Sequence, residues 1–428
     1  MPDLKLQEVL ERTAPEAAQA LLAPYLDGID EPPHVDMTRL QPPVCYWVVY
    51  QAGDRRITVK TFFAESEFAR YAAQLEQYYG ARMGDTRHDH GGLALAPELN
   101  TITWSYPFDP AIPDLYRCLD VRWVAGAAGL RTAKLQPEVL SYNPEVGSVI
   151  AYRDTRTNRV KMYGKATTEA TCGLIWLVMD RLYRSEASAT GALRVARPLA
   201  FRPEAGLLLQ APVAGKPLEG DRNTQEFLDL ARAAGTALAG IHGADVPFGT
   251  FRGIEDAVDR LAAGLNDTML LAPDLHPTLR LLVDQLRQRA PTDALPLPLP
   301  SHGDYKWDQF LVWRGQHSLI DFELFCQAEP ALDVGYFCGY LPPSTPEDWQ
   351  DAAASEVLRR EFIAAYRAAS DWPLDMARVG LHEAATLGIR ALSYIWGHQP
   401  GWQLRASQLL DLAVDRLVDP EPKTLALA

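Results

Sequence analysis

The sequence has few cysteines, and their arrangement excludes two kinds of small stabilised fold. There are five cysteines in 428 residues, widely spaced and without a C-x-x-C pair. An odd, dispersed set of this kind gives neither a disulfide framework nor a thiolate zinc site. We therefore predict a protein of the reducing cytoplasm, long enough to bury apolar cores without covalent staples.

Positive charge is also scarce. The chain contains 41 Lys and Arg against 55 Asp and Glu, which gives a formal net charge of -14, and no Lys/Arg-rich run stands out. Such a chain repels a polyphosphate backbone unless a basic face is segregated. Nucleic acid is therefore not an expected partner.

Long apolar runs are missing as well. The longest one, around residues 174–179, is far shorter than a membrane span, and the first ten residues carry charges where a signal peptide has an apolar segment. No repeat period and no low-complexity tract is found. We expect neither export nor a membrane partner, and the sequence leaves the oligomeric state open.

The composition that is present is ordinary for a globular protein, with 47% hydrophobic and 22% charged residues. Two β-hairpins are predicted, each followed by a helix. The first hairpin covers residues 44–63 with a helix over 65–79, and the second covers 148–165 with a helix over 168–183. This alternation predicts a mixed α and β structure in the first half of the chain.

The remaining segments divide into one early helix, two connections and a helical half. Residues 4–22 predict a helix, and the proline-rich residues 101–119 predict an irregular connection. A short strand at 207–210 runs into residues 211–217, which contain Pro and Gly and suggest a hinge between two lobes. From residue 224 onwards the pattern is mostly helical.

One segment interrupts the helical half and carries side chains suited to phosphoryl transfer. It reads S-H-G-D-Y-K-W-D-Q-F-L-V over 301–312 and L-I-D-F-E over 319–323. Transfer from a nucleotide needs a carboxylate for the acceptor hydroxyl and oxygen ligands for magnesium on the phosphates. Asp304 offers the first, and Gln309 and Asp321 offer the others. A predicted hairpin between them would return the two acids to one edge.

This segment resembles the catalytic region of the kinase superfamily that includes aminoglycoside phosphotransferases, choline kinases and protein kinases. Their catalytic loop, H-G-D-x-x-x-x-N or H-R-D-x-K-x-x-N, is followed by a strand and by I-D-[FW] or D-F-G. Residues 302–304 match the first form, Lys306 matches the second, and Asp321 follows Asp304 by 17 residues. The segment 329–335 resembles the helix start that follows the metal-binding Asp in aminoglycoside-type kinases.

The resemblance covers roughly residues 138–420 and implies a fold. That fold is α+β and bilobal, with a mostly β N-lobe, a mainly helical C-lobe and the active site between the lobes. An extra α/β cap domain precedes it in this chain. The predicted domains are therefore a cap over 1–135, a kinase-like N-lobe over 136–212 and a helical C-lobe over 213–428.

The resemblance also implies roles for individual residues. Asp304 would be the catalytic base, and Gln309 and Asp321 would be ligands of Mg²⁺ bound to ATP. Gln309 stands where the family usually has Asn, which leaves the metal geometry open. Lys165, at the end of the second hairpin, is chosen to contact the phosphates, with Lys161 as the alternative.

The rest of the nucleotide site is less specified. Gln210 and Val213 would lie at the adenine, where backbone groups do most of the reading. The glutamate partner of the phosphate lysine is left open between Glu169 and Glu186. Lys60, in I-T-V-K, imitates a phosphate-binding strand lysine, but it lies too far upstream and is predicted to be a surface residue of the cap domain.

The polar neighbours of the motif have structural interpretations. His302 is predicted to hydrogen-bond the loop backbone rather than to move a proton. Asp333 is predicted to be a fold-stabilising cap. Glu323, two residues after Asp321, is either a solvated acid or a group that touches a second metal or the acceptor.

Taken with the resemblance, these features predict an ATP-dependent kinase acting on a hydroxyl of a small molecule. The maltokinase and glucosamine kinase branch has H-G-D-x-H-x-x-Q and an extra N-terminal domain, which favours a sugar or amino sugar as acceptor. Two alternatives stay open. An aminoglycoside-type antibiotic phosphotransferase would share every site residue, and a non-catalytic nucleotide-binding pseudokinase would explain Gln309.

Overall fold

The chain folds into two compact units, seen in a computed structural model that describes residues 6–41, 43–79, 92–130, 134–290, 298–342, 352–397 and 401–421. The first unit comprises Met1–Ala151, Lys165–Glu169 and Arg202–Leu207. The second comprises Tyr152–Gly164, Ala170–Phe201 and Leu208–Ala428.

The first unit begins with two short helices in place of the single helix expected over residues 4–22. Helix α1 is Leu6–Arg12 and helix α2 is Gln19–Leu22. Pro15 lies between them, and a proline has no N–H and clashes with the carbonyl four residues earlier. This prediction of one continuous helix is therefore wrong.

An antiparallel sheet of five strands follows, in the order β1-β2-β3-β5-β4. Its strands are β1 His34–Gln41, β2 Cys45–Ala52, β3 Arg55–Phe62, β4 Leu93–Ala96 and β5 Thr101–Ser105. Helix α3, Glu65–Tyr79, comes between β3 and β4 in sequence. The first predicted hairpin and its helix are thereby confirmed.

The core of this sheet is aromatic. Trp47, Phe62 and Trp104 of three strands pack with Phe68 and Leu75 of α3. Because side chains alternate between the faces of a strand, Trp47, Phe62 and Trp104 lie on the same face of the sheet, the face that packs against the helix.

The segment 101–119 is only partly irregular. Strand β5 occupies its start, and the three prolines at 107, 110 and 113 come after the strand has ended at Ser105. The expectation of an irregular connection over the whole segment is therefore wrong for its first five residues, which form a strand, and for its last five, which form a 3-10 helix. A 3-10 helix at Leu115–Leu119 and helix α4 at Val121–Ala127 complete this part.

A second sheet of five strands has the order β6-β7-β8-β10-β9. Its strands are β6 Leu135–Asn143, β7 Gly147–Asp154, β8 Val160–Ala166, β9 Pro198–Arg202 and β10 Leu207–Gln210. Helices α5, Glu169–Tyr183, and α6, Glu186–Thr190, come between β8 and β9 in sequence. The second predicted hairpin, the helix after it and the strand at 207–210 are confirmed.

The two sheets share one arrangement of strands. Each has the order first, second, third, fifth, fourth, and each has its helix after the third strand. In both sheets the sixth residue of the third strand is a lysine, Lys60 in β3 and Lys165 in β8. The sequence shows no repeat period, so this repetition is visible only in the topology.

The second half of the chain is mainly helical. Its helices are α7 Gln225–His242, α8 Ile254–Leu271, α9 His276–Arg289, α10 Pro330–Tyr340, α11 Ala352–Ala369, α12 Met376–Gly397 and α13 Trp402–Val418. Two small antiparallel strand pairs lie among them, β11 Leu299–Ser301 with β14 Cys326–Ala328 and β12 Phe310–Trp313 with β13 Gln316–Leu319.

Two apolar clusters hold this half together. One includes Tyr305, Phe322 and Phe337 and joins the interrupting segment to α7, α10 and α11. The other lies among α8, α9, α12 and α13. A β-rich N-terminal part with a helical C-terminal part confirms the predicted α+β fold class. Within the described ranges, no helix has the length and apolar character that a bilayer crossing needs.

Candidate active site

The H-G-D loop, defined as residues 302–309, is placed by two short strand pairs. It leaves the buried strand β11 and ends in a 3-10 helix, Trp307–Gln309. The hairpin of β12 and β13 then returns the chain, and the N–H of Ile320 donates to the carbonyl of Gln309 at 3.0 Å. Asp321 follows at once, so the hairpin returns the second acid to the edge where the loop ends, as predicted.

The three residues predicted to form the chemical centre lie together. The side-chain amide of Gln309 donates through Nε2 to Asp304 Oδ2 at 3.0 Å and to Asp321 Oδ2 at 3.3 Å. Gln309 is only 7% exposed. One buried amide therefore links two carboxylates that are 17 residues apart in the sequence.

Asp304 has two further donors. The hydroxyl of Tyr336 on α10 donates to Oδ1 at 2.6 Å, and the ammonium of Lys306 lies 3.2 Å from Oδ2. Burial alone would lower the pKa of Lys306, but the negative charges of Asp304 and Asp308 act together in the other direction, and the net effect is a raised pKa. Lys306 is therefore a protonated donor at neutral pH.

His302 supports the loop and carries no charge. Its Nδ1 accepts from the N–H of Asp304 at 3.3 Å, so Nε2 bears the proton and donates to the carbonyl of Ile320 at 3.2 Å. Complete burial lowers the pKa of this imidazole. The predicted hydrogen bonding of His302 to the loop backbone is confirmed.

Asp333, three residues inside the start of α10, fixes the backbone of the loop. Its two oxygens accept from the N–H groups of His302 at 2.6 Å and Gly303 at 2.8 Å, and His242 lies 3.5 Å from Oδ2. Burial would raise the pKa of this carboxyl, but His242 and the backbone donors outweigh it and lower it. Asp333 is thus an ionised anchor of the loop. It stabilises the fold as predicted, but the prediction that it is a cap is wrong, because Glu329 is the N-cap of α10.

The glycine of the motif is required by the path of the backbone. Gly303 has a φ of +77°, and a Cβ atom there would lie 2.0 Å from the carbonyl oxygen of Leu324. No side chain other than hydrogen fits this position without moving the loop.

Two residues of the site were missed by sequence reasoning. Tyr336 contacts Asp304 and lies three residues after Asp333, one helical turn along α10, which is the signal that could have indicated it. Asp308 is half-buried in the same loop, and burial raises the pKa of its carboxyl. Its position directly before Gln309 carries no pattern that would have marked it.

The donor set fits a magnesium ion. Asp321 provides carboxylate oxygens and Gln309 an amide oxygen, once its amide is turned over, and these are ligands that Mg²⁺ prefers. The described part of the chain holds no group of three or more His, Cys, Asp or Glu side chains arranged as a metal site. Magnesium on a nucleotide needs only one or two protein carboxylates, because waters and phosphates complete its coordination.

The residues predicted for the nucleotide are distributed over both units. Lys165 belongs to the first unit, whereas Gln210, at the end of β10, and Val213, which packs against the core around α7, belong to the second. Lys161 is exposed and lies 3.8 Å from Asp154. The nucleotide contacts of Lys165, Gln210 and Val213 stay predictions.

Lys60 is buried, so its prediction as a surface residue is wrong. It is 5% exposed, and its ammonium contacts the carboxylate oxygens of Glu145 at 2.8 and 3.0 Å. The same ammonium lies 4.8, 5.3 and 4.1 Å from the ring centres of Trp47, Phe62 and Tyr71. These partners come from β2, β3, α3 and a turn 85 residues away, which local sequence does not reveal.

The fold and the loop geometry indicate a protein-kinase-like phosphotransferase, and comparison with known families gives the same class. Residues 177–375 match the family model described as "Phosphotransferase enzyme family". This range contains the H-G-D loop, Asp321 and Asp333. The match covers a little under half of the chain, and it confirms the predicted resemblance to the aminoglycoside phosphotransferase and choline kinase superfamily.

Solved structures share the fold at low sequence identity. A protein from Ralstonia eutropha JMP134, assigned by name to the aminoglycoside phosphotransferases, has 15% identity and a TM-score of 0.53, covering 69% of this chain and 96% of that chain. An amicoumacin kinase in complex with AMP-PNP, Ca²⁺ and Ami has 17% identity and a TM-score of 0.51, covering 71% of this chain and 95% of that chain. A search of the curated protein sequences finds no significant match. The maltokinase and glucosamine kinase branch is not singled out by these matches.

Proposed function

We propose that the protein is a magnesium-dependent kinase that transfers the γ-phosphoryl group of ATP to a hydroxyl of a small molecule. The observation that carries this proposal is the convergence of Asp304 and Asp321 on one buried amide, that of Gln309. A pair of carboxylates on two loops, one for the acceptor and one for the metal, is what phosphoryl transfer requires.

Asp304 is the group we assign to the acceptor hydroxyl. Its carboxylate is held by Tyr336, Gln309 and Lys306, so its orientation is set before a substrate binds. Preorganisation of this kind lowers the barrier because the reacting groups need little rearrangement. Asp304 would orient the hydroxyl for in-line attack and accept its proton as the new P–O bond forms.

Asp321 and Gln309 are the residues we assign to Mg²⁺. When bound, the ion would neutralise charge on the β- and γ-phosphates. Gln309 must then turn its amide so that the oxygen faces the ion, which ends its donation to both carboxylates. Lys306, protonated beside Asp304, is in position to balance negative charge on the transferred group.

For the phosphates nearer the nucleoside we propose Lys165, with Gln210 and Val213 at the adenine. Lys165 and Lys60 occupy the same place in two sheets of the same topology. Lys60 already forms an ion pair with Glu145 inside an aromatic cluster, and this favours Lys165 as the phosphate ligand. We also keep as a proposal the division of the chain into a cap domain over 1–135, an N-lobe over 136–212 and a C-lobe over 213–428.

A sugar or amino sugar is the acceptor we propose, in a cytoplasmic protein. All five cysteines are buried, and none of them forms a disulfide in the structure, which supports a reducing compartment. An aminoglycoside-type antibiotic phosphotransferase is the second candidate, because the acceptor alone distinguishes it. The pseudokinase alternative loses support, because Gln309 reaches both carboxylates in spite of its extra methylene.

The test is a panel of sugars, amino sugars, aminoglycosides and choline, each incubated with Mg-ATP and followed by phosphorus NMR. We expect a new phosphomonoester signal with at least one sugar or amino sugar. Asp304→Asn, which keeps the size of the side chain, should give no such signal while still binding nucleotide. Product from aminoglycosides alone would favour the second candidate, and nucleotide binding without product from the whole panel would favour a pseudokinase.

A further inference from the structure

We propose that Tyr336 is the positioning residue that holds the Asp304 carboxylate in one orientation for the phosphoryl acceptor. The expected effect of Tyr336 on catalysis rests on the proposed kinase function. The contact that carries it is the hydrogen bond from the Tyr336 hydroxyl to Asp304 Oδ1, at 2.6 Å.

The two oxygens of Asp304 are held from different sides. Gln309 and Lys306, both in the H-G-D loop, contact Oδ2 at 3.0 and 3.2 Å. Tyr336, on α10, contacts Oδ1. Rotation about the Cβ–Cγ bond of Asp304 moves both oxygens, so contacts to Oδ2 restrain it from the loop alone, and a donor to Oδ1 from a separate element restrains it from a second direction. Tyr336 is the donor, among the described residues, that supplies this second point of attachment to Oδ1.

Helix α10 is a rigid base for that contact. Asp333, one turn before Tyr336, already binds the backbone N–H groups of His302 and Gly303. One helix therefore fixes both the backbone of the loop and the side chain of Asp304. Most of α10 is buried, so its position relative to the loop is set by core packing.

The ring of Tyr336 is held in place by stacking on a second tyrosine. It stacks on Tyr340 with ring centres 5.0 Å apart and planes 23° apart. Lys306 Nζ lies 5.2 Å and Arg390 Cζ lies 5.0 Å from the centre of the Tyr340 ring. Cations over an aromatic face hold it by attraction to the ring quadrupole. Arg390, Tyr340 and Tyr336 thus form a packed row that ends at Asp304.

Tyr336 serves as a neutral donor. Burial raises the pKa of its hydroxyl, and the nearby charge of Asp304 acts in the same direction. Its proton therefore stays on the phenol at neutral pH, and a short O–H bond to a carboxylate is among the stronger hydrogen bonds in proteins. Tyr336 therefore acts through Asp304, and its hydrogen bond is to neither of the proposed metal ligands, Gln309 and Asp321.

Tyr336→Phe separates positioning from packing, because it removes one oxygen and keeps the ring. We expect kcat for the acceptor identified by the panel to fall by roughly tenfold to a hundredfold, the effect of losing one hydrogen bond to a charged group. The KM for ATP should stay within about twofold, because Tyr336 is not assigned to the nucleotide. A purely structural role would leave kcat of the folded enzyme unchanged.

The matched control is Tyr25→Phe. Tyr25 lies in the first unit, it is fully buried, and its hydroxyl donates to the carbonyl of Thr103 at 2.9 Å. This control should lose stability without the fall in kcat. An equal fall in both variants, or none in Tyr336→Phe, would overturn the proposal.

A second readout does not depend on activity. In crystal structures of the wild type and of Tyr336→Phe, we expect the Asp304 carboxylate to be ordered in one plane in the first and rotated or doubled in the second. An unchanged Asp304 in Tyr336→Phe would refute the positioning role, even if the wild type phosphorylates nothing in the panel. A wild type without product but with a rotated Asp304 in the variant would instead reject the proposed function and keep the positioning role.

Discussion

Gln309 shows how one side chain defines the proposed metal site. Its amide donates to both Asp304 and Asp321, so in the absence of a metal it keeps two carboxylates close without a cation between them. Two neighbouring carboxylates repel when both are ionised, and a donor or a cation between them relieves this repulsion. Substitution of Gln309 by an acid should therefore make the stability of the protein depend more strongly on a divalent metal ion.

Gln309→Glu is expected to exchange the bridging amide for a third carboxylate of the same shape. Without metal, the free energy of unfolding should fall by about 1–3 kcal/mol, because two hydrogen bonds become like-charge contacts. Mg²⁺ should restore much of this loss, and the rise in Tm on adding Mg²⁺ should be larger than in the wild type.

The comparison for this variant is Gln316→Glu, the same exchange at an exposed position of β13. Thermal unfolding with and without Mg²⁺ measures both. Equal magnesium effects in the wild type and in Gln309→Glu would argue that Gln309 has no place beside a metal.

The site could be predicted at the level of residues only where local spacing carries the signal. Asp304, Gln309 and Asp321 are separated by one turn and one hairpin, and the structure brings them together. The partner of Lys60 lies 85 residues away, so its burial had no local pattern. Tyr336 lies in a helix whose start resembled the family, but its contact depends on how α10 packs against the loop.

At the scale of elements, the H-G-D loop depends on a glycine that no side chain can replace. Gly303 combines a left-handed backbone, with φ of +77°, with a backbone carbonyl 2.0 Å from the place of a Cβ atom. Gly315, in the turn between β12 and β13, has nearly the same φ of +73° but no atom within 4 Å. Replacement of Gly315 therefore introduces backbone strain alone, whereas replacement of Gly303 introduces backbone strain and a steric clash.

Gly303→Ala should lower kcat by at least about tenfold, because the loop must move away from Leu324 and takes Asp304 with it. Gly315→Ala should lose only about 1–2 kcal/mol of stability from the left-handed conformation, and it should keep its turnover. Initial rates and urea unfolding of both variants give the comparison. Full activity of Gly303→Ala would show that the loop tolerates the shift.

Elements were predictable where hydrophobic periodicity was strong. The hairpins and the helices α3, α5 and α12 follow from patterns within the segment itself. Strand β5 is hard to predict because three prolines follow it closely, and the break between α1 and α2 is hard to predict because apolar residues keep helical spacing on both sides of Pro15.

At the scale of the whole molecule, the repeated sheet order gives the chain two third-strand lysines with different surroundings. Lys60 is enclosed by three aromatic rings and paired with Glu145. Breaking such a buried pair leaves an uncompensated charge, which is costly. Lys60 therefore belongs to the stability of the first unit, whereas Lys165 is the lysine we propose for the nucleotide.

Lys60→Met should lower the free energy of unfolding by roughly 3–5 kcal/mol, because Glu145 loses its partner. Adding Glu145→Gln should recover part of this loss, and the folded double variant should retain its turnover. Lys165→Met should reduce turnover in the folded protein. Denaturant unfolding and initial rates are measured for each variant. Loss of turnover in a well-folded Lys60→Met would contradict the proposal that Lys165, and not Lys60, contacts the phosphates.

Calorimetric titration with a non-hydrolysable ATP analogue tests the central claim most directly, in the wild type and in Asp321→Asn, each with and without Mg²⁺. We expect the wild type to bind the analogue much more tightly with Mg²⁺, and the isosteric variant to lose most of that difference, because its carboxylate is the proposed anchor of the ion. No heat from the wild type with any divalent ion, or the same magnesium dependence in Asp321→Asn, would contradict a phosphotransferase site at Asp304 and Asp321.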